Sequence, residues 1–290
     1  MTHVLLVGKM GQIGWELFQS LRHITQVTAT ERSELDITNQ RDVLHMLETV
    51  KPDIVINATG YNNVDAAEVE KEQAEAVNMT ANAILSNAAR QQNAFYITYS
   101  TDYVFDGKKN SPYVESDRTK PLNVYGQTKL DGELATVNSG ADYLILRTSS
   151  VFSMRRPCFV TNFLEKTRHS ARIPVRSDLT SSPTSARYLA EMTTQIISAG
   201  GPKPNEWLSE RKGLYLLTGT GVASRYEWAR AICEILNLKV DIVPAMGTDF
   251  TAGADRPLYS ALDSTRIFST FNLRPVSWAN MLAAILKKTA

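Results

Sequence analysis

The sequence is poor in cysteine, carries almost no net charge and contains no long apolar run. Its two cysteines, Cys158 and Cys233, lack the spacing of a metal site and are too few for a disulfide framework. A formal net charge of +1 removes the electrostatic basis for binding nucleic acid or an anionic membrane. No apolar run approaches the roughly 18 residues of a membrane span, and the N-terminus enters a strand without a signal peptide. We therefore expect a cytoplasmic protein without a nucleic-acid or membrane partner.

What the first half does contain is a regular alternation of short apolar strands with amphipathic helices. The order β-α-β-α-β-α-β-α-β predicts a parallel sheet with right-handed crossovers, which is an α/β fold of the Rossmann-type, doubly wound kind. The longest predicted helix covers residues 68–91. Asn78 interrupts the apolar face of that helix, and because a buried amide needs partners we assign it a structural role.

The second half is organised more loosely than the first. Beyond Val151 strands and helices alternate less regularly, and Pro202 and Pro204 with their neighbouring glycines predict an exposed turn. We predict two domains: a Rossmann domain over 1–149 and a smaller mixed α/β lobe, mainly substrate-binding, over 150–290, with segments near 186–222 and 262–275 returning to the first domain.

A glycine-rich turn follows the first apolar run. Residues 3–7 form a predicted strand, and Gly8, Gly11 and Gly14 then precede apolar residues at helical spacing. Small residues let the backbone approach a pyrophosphate, and the N-terminus of the helix presents N–H groups and a positive dipole end. A tight strand-to-helix turn alone would also need glycine, but the order of elements at the chain start favours binding of a dinucleotide cofactor.

The end of the second predicted strand, 27–30, gives a divided answer about that cofactor. Glu31 there favours the 2′-hydroxyl of NAD, whereas the adjacent Arg32 can pair with the 2′-phosphate of NADP. Both charges are equally compatible with a solvated surface. Asp36 and Ile37 follow, where a loop that folds back would meet the adenine.

Tyr125 and Lys129 are four residues apart at the start of a predicted helix, so they share one helix face. A nearby ammonium favours the phenolate and lowers the tyrosine pKa from about 10, which suits proton transfer at neutral pH. Thr101, at the end of a neighbouring strand, can place a hydroxyl beside the same substrate oxygen. The alternative is a solvated tyrosine and lysine on a helix surface.

Five strings combine these features: GKMGQIG, NATG, VDAAE, YSTDYVFDG and PLNVYGQTKLDGE. Together they resemble the extended short-chain dehydrogenase/reductases, and within them the dTDP-4-dehydrorhamnose reductase family. The resemblance spans nearly the whole chain. It implies reduction of the C4 ketone of a dTDP-linked 4-keto-6-deoxyhexose (dTDP-4-dehydro-L-rhamnose to dTDP-L-rhamnose) with NADPH or NADH. It also implies a nucleotide sugar as the substrate partner and raises a homodimer as an expectation.

The resemblance further implies the residues of the site. Tyr125 would protonate the forming alkoxide, Thr101 would hydrogen-bond that oxygen, and Lys129 would hold the nicotinamide ribose. Cofactor contacts are expected at Tyr125 and Lys129 and at residues that follow the first three strands. These residues are Gly8, Met10, Gly11, Gln12, Ile13, Glu31, Arg32, Asp36, Ile37, Ala58 and Thr59. Sugar contacts are expected at Val64, Asp102, Tyr103 and Ser150, and Arg256 is either a phosphate contact or a surface ion.

This chain departs from the family pattern at three places. The family usually has a tryptophan against the sugar where Ser150 stands, and a glycine where Ser182 precedes Pro-Thr. In some relatives glutamates bind a magnesium ion at a dimer interface. Glu16 matches one of them, but Arg187 stands at another, so we predict no metal.

Two alternatives to the reductase stay open at this point. One is a ketoreductase or epimerase acting on another nucleotide sugar, which Ser150 permits. The other is a non-catalytic, cofactor-binding regulatory subunit, because the regulatory β subunit of methionine adenosyltransferase resembles the same family and shares the DYVFDG and KLDGE strings. The presence of all three groups, Thr101, Tyr125 and Lys129, favours an enzyme.

Overall fold

The computed structural model describes residues 2–250 and 253–287. Its strands are β1 His3–Val7, β2 Gln26–Thr30, β3 Ile54–Asn57, β4 Phe95–Thr101, β5 Tyr143–Thr148, β6 Val151–Phe152, β7 Arg172–Arg176, β8 Thr180–Ser181, β9 Thr184–Ser185, β10 Gly213–Leu216, β11 Ala223–Ser224 and β12 Asp241–Ala245. Its α-helices are α1 Gln12–Leu21, α2 Gln40–Val50, α3 Val64–Ala67, α4 Lys71–Glu75, α5 Ala81–Gln91, α6 Val124–Asn138, α7 Phe159–His169, α8 Ala186–Ala199, α9 Pro204–Ser209, α10 Arg225–Leu236, α11 Thr265–Phe271 and α12 Trp278–Leu286.

The centre of the molecule is a six-stranded parallel sheet in the order β10-β5-β4-β3-β1-β2. This arrangement confirms the predicted doubly wound α/β fold. The chain leaves β1 toward β2 on one side and later returns to place β3 on the other. The strand order therefore reverses between β1 and β3, and ligands of open α/β sheets bind in the crevice at such a point, beyond the carboxyl ends of the strands.

Helices cover both faces of the sheet because the strands are apolar on both sides. On one face Val4 and Leu6 of β1 join a core with Leu17 of α1 and with residues of α8, α10 and α12. On the other face Leu5 packs with Leu47 of α2 in a second core that α5 completes. The alternation of neighbouring residues between two cores holds each strand in one register.

Some elements from the second half of the chain lie against the same sheet. Helix α8 packs against α1, where Ser20 Oγ and Thr194 Oγ1 are 2.8 Å apart, and β10 pairs with β5. The smaller elements, including the parallel pair β7 and β12, extend the structure beyond the carboxyl end of the sheet. The division of the chain into domains at residue 149 stays a prediction. In the described part of the chain, no helix is both long and apolar enough to cross a membrane.

Two local predictions are wrong in detail. The single helix predicted over 68–91 instead begins at Lys71 and consists of α4, a π-helical turn at Ala76–Thr80 and α5. Asn78 lies in that turn. Its side chain binds the backbone N–H and C=O of Tyr61 at 2.9 and 3.1 Å and the hydroxyl of Thr128 at 3.1 Å, which is the structural role predicted for it. Pro204 begins α9 rather than continuing the turn. Proline is favourable at the first helical position because the N–H that it lacks would have no partner within the helix there.

Candidate active site

A cleft of about 910 Å³ runs along the carboxyl end of the sheet, at the strand-order reversal. Its size suits a dinucleotide-sized or nucleotide-sized ligand. Of the residues predicted for the site, every one except Arg256 lines this cleft. The set that the fold brings together is Gly8, Met10, Gly11, Gln12, Ile13, Glu31, Arg32, Asp36, Ile37, Ala58, Thr59, Val64, Thr101, Asp102, Tyr103, Tyr125, Lys129 and Ser150.

The glycine-rich turn between β1 and α1 forms a cradle at one end of the cleft. Gly8 has φ +90°, and a Cβ at Gly14 would lie 2.1 Å from the carbonyl oxygen of Gly8, so both positions require glycine. Gly11 is the N-cap of α1 and offers no side chain to accept from the first helical N–H groups. These N–H groups are therefore available to an anion, and the residues present fit a pyrophosphate.

At the end of β2 the two charges predicted to choose the coenzyme have different surroundings. Glu31 Oε1 accepts a hydrogen bond from Ser33 Oγ at 2.9 Å, so part of its hydrogen-bonding capacity is used. Arg32 is exposed and forms no ion pair with the other residues that the structure describes. Next along, Asp36 accepts from the N–H and hydroxyl of Thr38, and these bonds hold the pKa of its carboxyl below the usual range.

Thr101 and Tyr125 meet in the middle of the cleft. Thr101 is the last residue of β4, and its Oγ1 accepts a hydrogen bond from the N–H of Tyr103 in the following turn. Tyr125 is in the first turn of α6, which Asn123 caps by accepting from Gly126 N at 2.7 Å. The Thr101 hydroxyl lies close enough to Tyr125 to influence the pKa of the Tyr125 hydroxyl. The sequence separates these two groups by a loop of more than twenty residues, and the fold joins them.

The acid–base state of this pair differs from the prediction. Burial raises the pKa of the Tyr125 hydroxyl, and the neighbouring Thr101 hydroxyl acts in the opposite direction. The sequence predicted that Lys129 would lower the tyrosine pKa, and that prediction is wrong in direction. Lys129 Nζ instead donates to the backbone oxygen of Tyr99 at 2.7 Å, so its strongest contact is with β4. Ionisation of a buried phenol is unfavourable because the charged form loses its hydration, and the contacts of Tyr125 do not compensate for this loss.

Lys129 is itself strongly affected by its position. It is buried, and burial lowers the pKa of its ammonium from the ordinary 10.5 to about 8, while the charge of Glu133 acts in the opposite direction. Glu133 lies one turn further along α6, where Arg147 of β5 binds both carboxylate oxygens at 2.8 and 2.6 Å. Ser100 donates a third hydrogen bond to the same carboxylate. This buried network fixes α6, and with it Tyr125 and Lys129, to the end of the sheet.

The residues predicted to meet the sugar have several different roles. Val64 begins α3 and Tyr103 packs edge-on against the Tyr125 ring, with centroids 5.6 Å apart. Asp102 is buried, and its carboxylate accepts from the hydroxyls of Thr101, Ser149 and Ser260. Burial raises the pKa of Asp102 despite these bonds. The carboxylate therefore organises the end of β4 as well as lining the cleft.

Ser150 and Arg256 occupy opposite kinds of position. Ser150 lies in the cleft wall with φ +46°, and its Oγ is 2.7 Å from Ser181 Oγ. Arg256 lies outside the lining, where its Nη2 is 2.7 Å from Asp65 Oδ2 and its guanidinium is close enough to Tyr103 for the two groups to influence each other's pKa. The structure therefore shows Arg256 as an ion-paired residue behind Tyr103.

Sequence reasoning missed a group of cleft residues contributed by the second half of the chain. Arg156, Cys158, Phe159 and Arg225 contribute to the wall of the cleft. Arg156 Nε donates to the carbonyl of Met10 at 3.1 Å, so this wall touches the glycine-rich turn. Ser224 caps the start of α10, but nothing in the local sequence showed which part of the molecule that end of the helix would approach.

The two positions compared with metal-binding relatives contact each other. Arg187 Nε of α8 lies 3.6 Å from Glu16 Oε2 of α1, so the glutamate is paired with a guanidinium. Within residues 2–250 and 253–287 no cluster of three or more metal-ligating side chains occurs. The absence of a metal stays a prediction from the sequence.

Known proteins share this architecture along their full length. Residues 1–290 match the family described as the RmlD substrate binding domain. A dTDP-4-dehydrorhamnose reductase from Burkholderia thailandensis is 35% identical over 283 residues, covering 95% of this chain and 95% of the relative. The enzyme of the same name from Escherichia coli is 34% identical over 289 residues, covering 95% of this chain and 94% of the relative.

Solved structures agree with these sequence matches. A dTDP-4-dehydrorhamnose reductase from Clostridium acetobutylicum superposes with a TM-score of 0.93 at 28% identity, covering 99% of each chain. The Bacillus anthracis enzyme of that name, crystallised in complex with NADP, superposes with a TM-score of 0.91 at 28% identity, covering 99% of this chain and 100% of that one. This chain belongs to the dTDP-4-dehydrorhamnose reductase family.

Proposed function

We propose that this protein reduces the C4 ketone of a dTDP-linked 4-keto-6-deoxyhexose, converting dTDP-4-dehydro-L-rhamnose to dTDP-L-rhamnose with NADPH. The observation that carries the proposal is that Thr101, Tyr125 and Lys129 line one cleft together with a phosphate cradle. The names of the full-length relatives support the same reaction. The cytoplasmic location and the homodimer stay predictions.

Thr101, Tyr125 and Lys129 would act on the ketone oxygen and the coenzyme. A bound dihydronicotinamide would supply the hydride to the carbonyl carbon. Tyr125 would give its hydroxyl proton to the carbonyl oxygen, and Thr101 would stabilise the charge that develops there. The raised pKa of Tyr125 keeps it protonated at neutral pH, and an alkoxide is basic enough to take that proton. Lys129 would hold the nicotinamide ribose.

The surroundings of Glu31 and Arg32 support NADPH over NADH. A 2′-phosphate needs an unpaired cation at the end of β2, and the exposed Arg32 forms no ion pair with the residues that the structure describes. The Glu31 carboxylate, by contrast, is partly satisfied by Ser33. The relative from Bacillus anthracis was crystallised with NADP.

The direct test is coenzyme oxidation, followed by absorbance, with freshly prepared dTDP-4-dehydro-L-rhamnose and either NADPH or NADH. We expect oxidation that depends on the sugar and is faster with NADPH at equal concentration. Coenzyme binding without sugar-dependent oxidation would contradict the proposal. In that case product analysis with other nucleotide sugars separates an epimerase, which converts the sugar without net oxidation, from a regulatory subunit, which converts none.

The pKa of Lys129 predicts the pH dependence of this reaction. Because the folded pKa is lowered to about 8, the ammonium is present below that pH and is lost as the pH rises through it. Tyr125 keeps its proton over the same range, so we expect kcat/KM to fall above pH about 8 with one apparent ionisation. The measurement is kcat/KM at pH values from about two units below to about two units above that pKa.

Protein stability over the same range is the control. The unfolded lysine binds its proton up to its ordinary pKa of 10.5, whereas the folded one releases it near 8. Between these values the unfolded state binds more protons, so the Lys129 contribution to stability increases with pH. Loss of activity above pH about 8 without a fall in melting temperature therefore supports the assignment, and a flat activity profile contradicts it.

A further inference from the structure

Arg225 is a cation without a counter-ion in the wall of the cleft. It is the first residue of α10, and its side chain is partly buried. Its Nη1 is buried and has no hydrogen-bond partner. Among the described residues no carboxylate forms an ion pair with it, although most other buried or half-buried arginines here are paired, as Arg147 and Arg176 are. An arginine in such surroundings normally needs an anion.

Two aromatic rings lie against the guanidinium of Arg225. The carbon Cζ lies 4.8 Å from the centroid of the Phe159 ring and 4.9 Å from that of Trp228. Such contacts orient a guanidinium through its faces while its N–H groups stay available in the ring plane. The two aromatic side chains therefore hold Arg225 in place at the cleft wall.

The acid groups near Arg225 cannot serve as its partner. Asp102 is close enough to influence it, but three hydroxyls already donate to that carboxylate. The other influences are Tyr103, Cys158 and a second cation, Arg256. Burial lowers the pKa of Arg225, as expected for a cation that its neighbours do not fully compensate.

Strand pairing connects the segment just before Arg225, through Ser181, to Ser150, which departs from the family pattern. Strand β11, which ends just before Arg225, pairs antiparallel with β8, so that Ala223 lies opposite Ser181. Ser181 in turn hydrogen-bonds Ser150 at 2.7 Å. The cleft is thus lined both by a small hydroxyl where a tryptophan is usual in the family and by an unpaired guanidinium.

We propose that Arg225 binds an anionic group of a nucleotide sugar: the diphosphate, which dTDP-4-dehydro-L-rhamnose carries, or a sugar carboxylate, which it lacks and which would make the substrate a nucleotide uronate. The inference rests on the proposed function in that a nucleotide sugar occupies this cleft. Arg256 is the other arginine near Tyr103, but Asp65 binds it at 2.7 Å. Arg156 of the same wall also forms no ion pair with the residues that the structure describes, but its Nε donates to the carbonyl of Met10 at the glycine-rich turn, which leaves Arg225 as the candidate on the substrate side.

The test is ligand binding by titration calorimetry to the full-length protein and to Arg225→Gln and Arg225→Lys variants. The ligands are dTDP and UDP, which carry a diphosphate, thymidine, which carries no charge, and the pair UDP-glucose and UDP-glucuronate, which differ by one carboxylate. If the diphosphate is the partner, Arg225→Gln should weaken dTDP or UDP binding by about 10- to 100-fold and leave thymidine unchanged. Arg225→Lys should retain part of the affinity.

The second source gives a different pattern. If the sugar carboxylate is the partner, diphosphate binding stays unchanged and the preference for UDP-glucuronate over UDP-glucose disappears in Arg225→Gln. The matched control is Arg230→Gln, one turn along α10 and exposed, where Arg230 pairs with Glu234 at 3.2 Å. This variant should bind every ligand as the wild-type protein does.

Two results would overturn the inference. One is unchanged binding of all these ligands by Arg225→Gln in a protein with a normal melting temperature. The other is an equal loss of NADPH affinity, which would assign Arg225 to the coenzyme or to general folding. Because these titrations need no turnover, a protein that fails to reduce dTDP-4-dehydro-L-rhamnose but shows Arg225-dependent anion binding retains the inference while losing the proposed function.

Discussion

The Tyr125→Phe variant is expected to lose about 10²- to 10⁴-fold in kcat, because removing the hydroxyl removes the proton donor for the ketone oxygen. The ring, its packing against Tyr103 and the helix that carries it all remain. NADPH affinity should therefore change little. Measuring kcat by coenzyme oxidation and NADPH affinity by titration separates the two effects.

The control for Tyr125→Phe is the same change at Tyr143. Tyr143 is partly buried on β5, packs against the core beneath α2 and α5, and does not line the cleft. Tyr143→Phe should keep full turnover. Near-normal turnover of Tyr125→Phe would mean that another group supplies the proton, and the assignment of the acid would then be withdrawn.

The Arg147→Met variant is expected to lose about 3–5 kcal/mol of unfolding free energy. Arg147 and Glu133 are a buried pair, with side chains only 5% and 4% exposed, and two hydrogen bonds join them. Methionine fills similar space but leaves the Glu133 carboxylate buried. Among the described residues, Ser100 near the end of β4 is then its remaining hydrogen-bond donor. Denaturant unfolding of both proteins measures the difference.

The control for Arg147→Met is Arg168→Met. Arg168 pairs with Glu165 at 2.7 Å, but their side chains are 72% and 58% exposed, so solvent screens the pair. Its loss should change stability by about 0–1 kcal/mol. A similarly small effect at Arg147 would show that water reaches the Glu133 carboxylate. Because Glu133 also raises the pKa of Lys129, the double replacement Arg147→Met with Glu133→Leu should recover stability and shift the alkaline loss of activity to lower pH.

The sequence by itself determined the features that depend on local pattern. Strands that are apolar on both faces, alternating with amphipathic helices, specified the parallel sheet. Gly8, Gly11 and Gly14 marked the phosphate cradle, and the backbone geometry at Gly8 and Gly14 admits no larger residue. The carboxyl ends of parallel strands lie at one edge, so the predicted cofactor and catalytic residues were brought into one cleft.

Only the tertiary structure decided the features that depend on which distant groups become neighbours. The pKa of Tyr125 is raised because the whole fold buries it, an effect that the spacing to Lys129 did not reveal. Arg256 is paired with Asp65, and Arg225 faces the cleft unpaired, although both are arginines in otherwise polar stretches. Periodicity records which face of an element is apolar, but burial and charge pairing depend on contacts between residues far apart in the chain. Those contacts exist only once the chain has folded.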